Sequence, residues 1–176
     1  SISVNISARD FYLCDLYDDI VGLVERYGIE PKRLRLEITE SALALDVQEQ
    51  MEIVSRLQEY GFIVEMDDFG SGYSSLNNLK EITVDIMKLD MKFFKQTANV
   101  ERAEKIIESV VHLAKKIKMP MIAEGVETKE QVEMLKRIGC SMVQGYYYAA
   151  PMSVDEFEEF MERNTLGDLS ESFYTE

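Results

Sequence analysis

The sequence predicts an α/β fold built on a parallel sheet. Three observations lead there. Six short apolar runs alternate with longer amphipathic stretches. Gly28, Gly61 and Gly139 each stand just past one of those stretches, where a left-handed C-terminal cap is expected. Every apolar run also delivers a polar or charged residue at its C-terminal end. Strand–helix alternation favours parallel pairing with right-handed crossovers.

The elements follow in order. Ile2–Ile6 reads as the first strand, with Ile2, Val4 and Ile6 on one parity and Ser3 and Asn5 on the other. Phe11–Tyr27 has helical spacing and is closed by Gly28. Leu34–Thr39 is the second strand: Leu34, Leu36 and Ile38 share one face and Glu37 takes the other. In both strands the apolar parity is expected to pack under helices while the polar parity converges within. A helix over Ala42–Tyr60 ends at Gly61. The third strand, Phe62–Asp67, runs into Asp68 and the glycine-rich loop Gly70-Ser71-Gly72. Val84–Leu89 is the fourth, carrying Lys88 and followed by Asp90. A helix over Val100–Ile117 precedes the fifth strand, Met119–Glu124. Lys129–Ile138 is helical and capped by Gly139; Ser141–Gln144 is the sixth strand, and Val154–Met161 a last helix. Residues 1–163 read as one domain. Asn164–Glu176 is acidic, poor in periodic apolar residues, and reads as a loose tail.

Composition narrows the function. Nineteen basic against 33 acidic residues give a net charge of −14. Such a chain repels a long nucleic-acid backbone, and a small phosphate ligand would need cations as intermediaries. No apolar run approaches the roughly 20 residues that span a bilayer, so no direct membrane contact is expected of this domain. No leader or lipidation pattern stands at Ser1. The only two cysteines, Cys14 and Cys140, sit in no metal or redox motif and fit packed thiols in a reducing cytosol; a cytoplasmic location is expected. No Gly-x-Gly-x-x-Gly opens the first helix, which disfavours dinucleotide binding.

The chemistry lies at the strand ends. Asn5, Glu37, Asp67 with Asp68, Lys88 with Asp90, Glu124 and Gln144 all fall at the same end of successive strands. In parallel α/β folds active sites form there. Adjacent carboxylates such as Asp67 and Asp68 repel unless cations lie between them. Asn5, Glu37, Asp67 and Asp68 make an all-oxygen set suited to Mg²⁺ or Mn²⁺. Two ions about 3.5–4 Å apart, bridged by Asp67, would activate a water and neutralise a phosphate. Lys88 would steer that water or stabilise phosphoryl charge. Asp-Phe-Gly also occurs in protein kinases, but no His-Arg-Asp loop accompanies it here. Residue chemistry alone thus supports a metal-dependent phosphoester hydrolase and names no nucleotide.

Five segments carry a resemblance: SVNISARDF at Ser3–Phe11, LEITESAL at Leu36–Leu43, DDFGSGYSSLNNLKEITVDIMKLD at Asp67–Asp90, IAEGVETKEQVEMLKRIGC at Ile122–Cys140 and VQGYYYAAPM at Val143–Met152. With their order and spacing, the chain resembles the EAL-domain family, the cyclic di-GMP phosphodiesterases of bacterial signalling. The resemblance implies a modified (β/α)8 TIM-like barrel and two-metal hydrolysis of cyclic di-GMP to linear pGpG. By position, Asn5, Glu37 and Asp67 match metal ligands, and Asp68 the acid serving the second metal. Lys88 matches the lysine near the attacking water, and Glu124 the acid completing the catalytic cluster. Gln144 and Asp90 fall at supporting positions. Glu40 matches the anchor of the loop after the paired aspartates, and Glu127 the second acid of AEGVE. The loop Phe69–Ser75, with Gly70, Ser71 and Gly72, resembles the segment that couples metal binding to dimerisation, which implies a homodimer.

One departure stands out. No Glu-Ala-Leu tripeptide occurs in this chain. In the family it lies upstream of VNIS and supplies a metal ligand. The resemblance therefore begins at the third barrel strand and covers about six βα units, with the first two strands missing. An alternative follows: a catalytically incomplete EAL domain serving as a cyclic di-GMP receptor or a protein-interaction module.

Overall fold

The computed structural model describes residues 1–44, 46–70, 78–91 and 99–165. Six strands form one sheet: β1 (Ile2–Ile6), β2 (Leu34–Thr39), β3 (Ile63–Phe69), β4 (Ile86–Asp90), β5 (Met121–Glu124) and β6 (Met142–Val143). They pair in chain order and every pairing is parallel, as the alternation predicts. The helices between them are α1 (Asp10–Leu13), α2 (Leu16–Tyr27), α3 (Glu40–Leu43), α4 (Val47–Tyr60), α5 (Val100–Lys116) and α6 (Lys129–Ile138), with α7 (Val154–Thr165) last.

Local polar chemistry trims the elements that apolar periodicity outlines. The helix expected over Phe11–Tyr27 is two helices. Cys14 is extended, and the Asp15 carboxylate accepts from the Asp18 amide to start α2 afresh. The helix expected over Ala42–Tyr60 is also two: Thr39 Oγ1 accepts from the Ala42 amide and starts the short α3, and α4 begins at Val47. The fourth strand starts two residues later than its apolar run. There the Asp85 carboxylate accepts from the Val64 amide at 2.8 Å and from Gln58 Nε2 at 3.0 Å, doing with a side chain what a longer strand would do with backbone. The expected glycine caps are present: Gly28, Gly61 and Gly139 have φ of 63°, 116° and 79°.

The core forms between the apolar parity of the sheet and the helices. Leu36, Ile38, Val64, Met66, Met87, Leu89 and Ala123 are at most 1 % exposed. They pack in one cluster with Ile20 and Val24 of α2, Val54 and Leu57 of α4, Ile107 and Val111 of α5 and Leu135 of α6. Each such burial of a large side chain stabilises the fold by about 1.5–3 kcal/mol. The first strand departs from expectation. Ile6 is buried, but Ile2 is 72 % and Val4 42 % exposed, so its apolar parity is not covered. The reason is position: β1 is an edge of the sheet, with β2 as its one paired neighbour among the described residues. The other edge, β6, is followed by Tyr146 and by α7, whose Val154 and Phe157 are also exposed.

Candidate active site

The polar parity opposite the core carries the charged groups. Register places them: Asn5 lies beside Glu37, Thr39 beside Asp67, and Asp90 beside Glu124. Lys88 rises from β4 into the middle of this set and is only 3 % exposed. Its Nζ is 2.7 Å from Glu37 Oε1, 2.7 Å from Glu124 Oε1 and 3.6 Å from Asp67 Oδ1. Three of the carboxylates singled out from sequence thus meet around one ammonium. Burial alone would lower the pKa of that ammonium; Glu124, Glu37 and Asp67 overcome it and hold it above the ordinary lysine range. Burial raises the Glu124 carboxyl above its ordinary value, Lys88 works against this, and the charges of Asp67 and Glu37 add to it.

The paired aspartates are explained by a break in the sheet. The β3–β4 register shifts between Met66 and Phe69. Neighbouring residues of a regular strand face opposite sides. Here Asp68 adopts φ 58°, and its amide donates to Asp67 Oδ1 at 2.8 Å. Aspartate tolerates this left-handed conformation better than most residues, and a bulge re-aims the side chain that follows it. Asp67 stays beside Lys88 while Asp68 lines the neighbouring cleft.

That cleft, about 250 Å³, is walled by Asp68, Asp90, Glu124, Glu127, Gln144 and Tyr146, together with Gly125 and Gly145. Gly125 has φ 70°, which a side chain would strain. Gly145 lies against the backbone of Val126, and any Cβ there would collide with it. Gln144 is exposed just past β6, and its amide donates to the Ala123 carbonyl at 2.8 Å, tying the strand end to β5. Glu40 is buried and its Oε2 accepts from the Gly70 amide at 3.4 Å, an anchor for the turn after the aspartates. Asn5 is exposed at the sheet edge. Glu127 is exposed, its amide held by Gln131 Oε1 at the start of α6. Ser71 and Gly72 lie outside the described residues. A second cleft, about 270 Å³, opens at the opposite end of β5 and β6, between Lys115, Met119 and Cys140. It is lined by none of the clustered carboxylates.

Beneath the site is a buried ion pair that strand-end position does not single out. Glu65, two residues before Asp67 and on the same parity, is 1 % exposed. Its Oε1 accepts from Arg35 Nη1 at 2.8 Å and its Oε2 from Ser3 Oγ at 3.2 Å. The signal was legible: Glu65 interrupts the run Val64–Met66, and Arg35 shares the parity of Glu37.

Divalent ions fit the donor set chemically. All the candidate donors are oxygens, and the buried Glu124 Oε1 has the Lys88 ammonium 2.7 Å away. Among the described residues, however, no three His, Cys, Asp or Glu side chains converge as a ready-made metal cage. The carboxylates surround Lys88 instead. No described helix is long and apolar enough to cross a membrane.

Known proteins share this fold. The model of the EAL domain matches residues 1–151. The cyclic di-GMP phosphodiesterase NbdA of Pseudomonas aeruginosa is 33 % identical over 160 residues, 91 % of this chain and 20 % of that protein. The bifunctional diguanylate cyclase/cyclic di-GMP phosphodiesterase MucR of the same organism is 35 % identical, over 89 % of this chain and 23 % of its own length. The chain thus spans about a fifth of the curated relatives it matches. The solved MucR phosphodiesterase in complex with c-di-GMP superposes with a TM-score of 0.82 over 89 % of this chain and 64 % of that one, at 35 % identity. The manganese/cy-diGMP complex of BlrP1 from Klebsiella pneumoniae gives 0.74 at 25 % identity, over 82 % and 37 %. With the match over residues 1–151 and a parallel sheet that superposes on solved EAL domains, the chain belongs to the EAL-domain family.

Proposed function

We propose that this chain carries most of a cyclic di-GMP phosphodiesterase centre, one that hydrolyses a single phosphodiester bond to give linear pGpG. The observation that carries the reading is the gathering of Glu37, Asp67 and Glu124 around buried Lys88 at the C-terminal strand ends. The similarity to NbdA and MucR supplies the nucleotide. Asn5, Glu37, Asp67 and Asp68 would hold two Mg²⁺ or Mn²⁺ ions, which, when bound, supply water activation and neutralise phosphate charge. Lys88 donates hydrogen bonds toward the attacking water or a phosphoryl oxygen and fixes the carboxylates around it. Glu124, raised in pKa by burial, is suited to take up the proton the attacking water gives up as its oxygen bonds to phosphorus, a proton the departing sugar oxygen regains when its own bond to phosphorus breaks. Gln144 and Tyr146 border the cleft that would take the rest of the nucleotide. We place the domain in the cytoplasm, where cyclic di-GMP acts, and propose a homodimer; both rest on the family resemblance.

A second reading has its own observations. The chain contains no Glu-Ala-Leu tripeptide, and no three acids form a cage among the described residues. An incomplete domain of this kind would bind cyclic di-GMP without cutting it. One experiment separates the two. The chain is incubated with cyclic di-GMP and Mn²⁺ or Mg²⁺, and products are resolved by chromatography. Metal-dependent pGpG that disappears in Glu124→Gln supports the phosphodiesterase. Metal-dependent binding by calorimetry without product supports the receptor. Neither binding nor product refutes both.

A further inference from the structure

Lys88 faces more negative charge than it neutralises, and it stands where a metal's ligands are. Its ammonium touches the Oε1 atoms of Glu37 and Glu124 at 2.7 Å and approaches Asp67 Oδ1 at 3.6 Å. At 3 % exposure the ammonium has little water to pair with and depends on those oxygens. The oxygens depend equally on it: three carboxylates so close together need a cation among them. An octahedral divalent ion draws its oxygens to about 2.0–2.1 Å around its own centre. The carboxylates are not placed that way. They are spaced around Nζ, and among the described residues no three acids stand as a cage that would hold a metal ion.

We propose that Lys88 is an internal counter-cation that competes with divalent metal for Glu37, Asp67 and Glu124, so that metal binding has to draw the ammonium away from at least one of them. The inference rests on the reading that these carboxylates bind divalent ions, and adds that the fold carries its own competitor. Lys88 thereby sets two things in opposite directions. It holds the site together when metal is scarce, and it weakens metal affinity. Metal occupancy then depends on the free ion concentration in a range set by this lysine. Once displaced, the ammonium is free to turn toward a phosphate oxygen, so loading the site and arming it are one movement. Lys88 acts here as a positioning residue.

The test reads stability and metal affinity rather than turnover. Lys88→Met keeps the length and removes the charge; Lys88→Arg keeps the charge. Each full chain is melted in EDTA and titrated with Mn²⁺ alone by calorimetry. The proposal expects Lys88→Met to melt about 10 °C lower in EDTA, Lys88→Arg to stay within a few degrees of the parent, and Lys88→Met to bind Mn²⁺ roughly tenfold or more tightly. If Lys88→Met does not fold in EDTA, Mn²⁺ must restore its circular dichroism spectrum; failure to do so overturns the proposal. Unchanged or weaker Mn²⁺ affinity in Lys88→Met, with the parent binding normally, overturns the competition and leaves the metal reading standing. Absence of Mn²⁺ binding in both parent and variant overturns the metal reading and the proposal with it.

Discussion

Arg35→Met should destabilise the domain far more than a substitution of a partly exposed residue ordinarily does. The asymmetry of its ion pair gives the reason. The Arg35 side chain is 27 % exposed, whereas Glu65 is 1 % exposed. Removing the arginine strands a buried carboxylate with only Ser3 Oγ, at 3.2 Å, as a side-chain donor. Breaking one partner of a buried pair costs about 3–5 kcal/mol. For a chain of this size that is roughly 6–20 °C in melting temperature. Glu65→Leu should cost less, because the guanidinium left behind reaches water. The double variant, with both charges gone, should recover much of the loss. The assay is urea unfolding of the four proteins under one set of conditions. A loss below about 1 kcal/mol in Arg35→Met, or a double variant as unstable as the sum of the singles, would refute the reasoning.

Two further outcomes follow from local geometry. Gly145→Ala should lower the melting temperature and abolish the cyclic di-GMP binding proposed for this cleft, because the new Cβ meets the Val126 backbone beside Gln144, and main chain yields less readily than a side chain; a melting temperature equal to the parent's would show that the cleft adjusts. The two thiols should behave differently toward a disulfide reagent. Cys140 is buried, which pushes its thiol pKa up, so it should react only on unfolding. Cys14 is exposed, but local desolvation and then Asp19 raise its pKa, so its rate should climb with pH through a midpoint above that of a free thiol. Equal native rates for the two would contradict the burial assigned to Cys140.

Much of this was legible in the sequence, for identifiable reasons. β1, β2 and α6 begin and end where their periodicity places them, because alternation and glycine caps are written residue by residue. The joint placement of Glu37, Asp67, Lys88 and Glu124 was legible too, since parity and strand end together fix direction. What was not legible depends on contacts far apart in the chain. The break inside the expected Phe11–Tyr27 helix is local instead: Asp15 acts as a cap that competes with apolar spacing. The late start of β4 comes from Asp85 reaching Val64 and Gln58. The exposure of Ile2 and Val4 reflects the edge position of β1, which alternation within a strand cannot reveal. The bulge at Asp67–Asp68 is a matter of β3–β4 register and has no local signature beyond the doubled acid itself.

The same polar parity that builds the site also sets where a cation can go. In the lower layer Glu65 is matched by Arg35, one carboxylate against one guanidinium, and Ser3 satisfies the remaining oxygen. One step up the strands the match fails: three carboxylates face the single ammonium of Lys88. An imbalance of that kind in the apolar interior would destabilise the fold. Here it sits at the strand ends, where Glu37, Asp67 and Glu124 remain 13–18 % exposed, so ions arriving from solvent reach it without crossing the core. The neutral pair below keeps the deficit local. A cation that entered lower would find its charge already answered, whereas one at the upper layer meets unmatched oxygen. The position of the excess charge, rather than the number of acids in the chain, is what suits this end of the sheet to the metal and phosphate chemistry proposed for it.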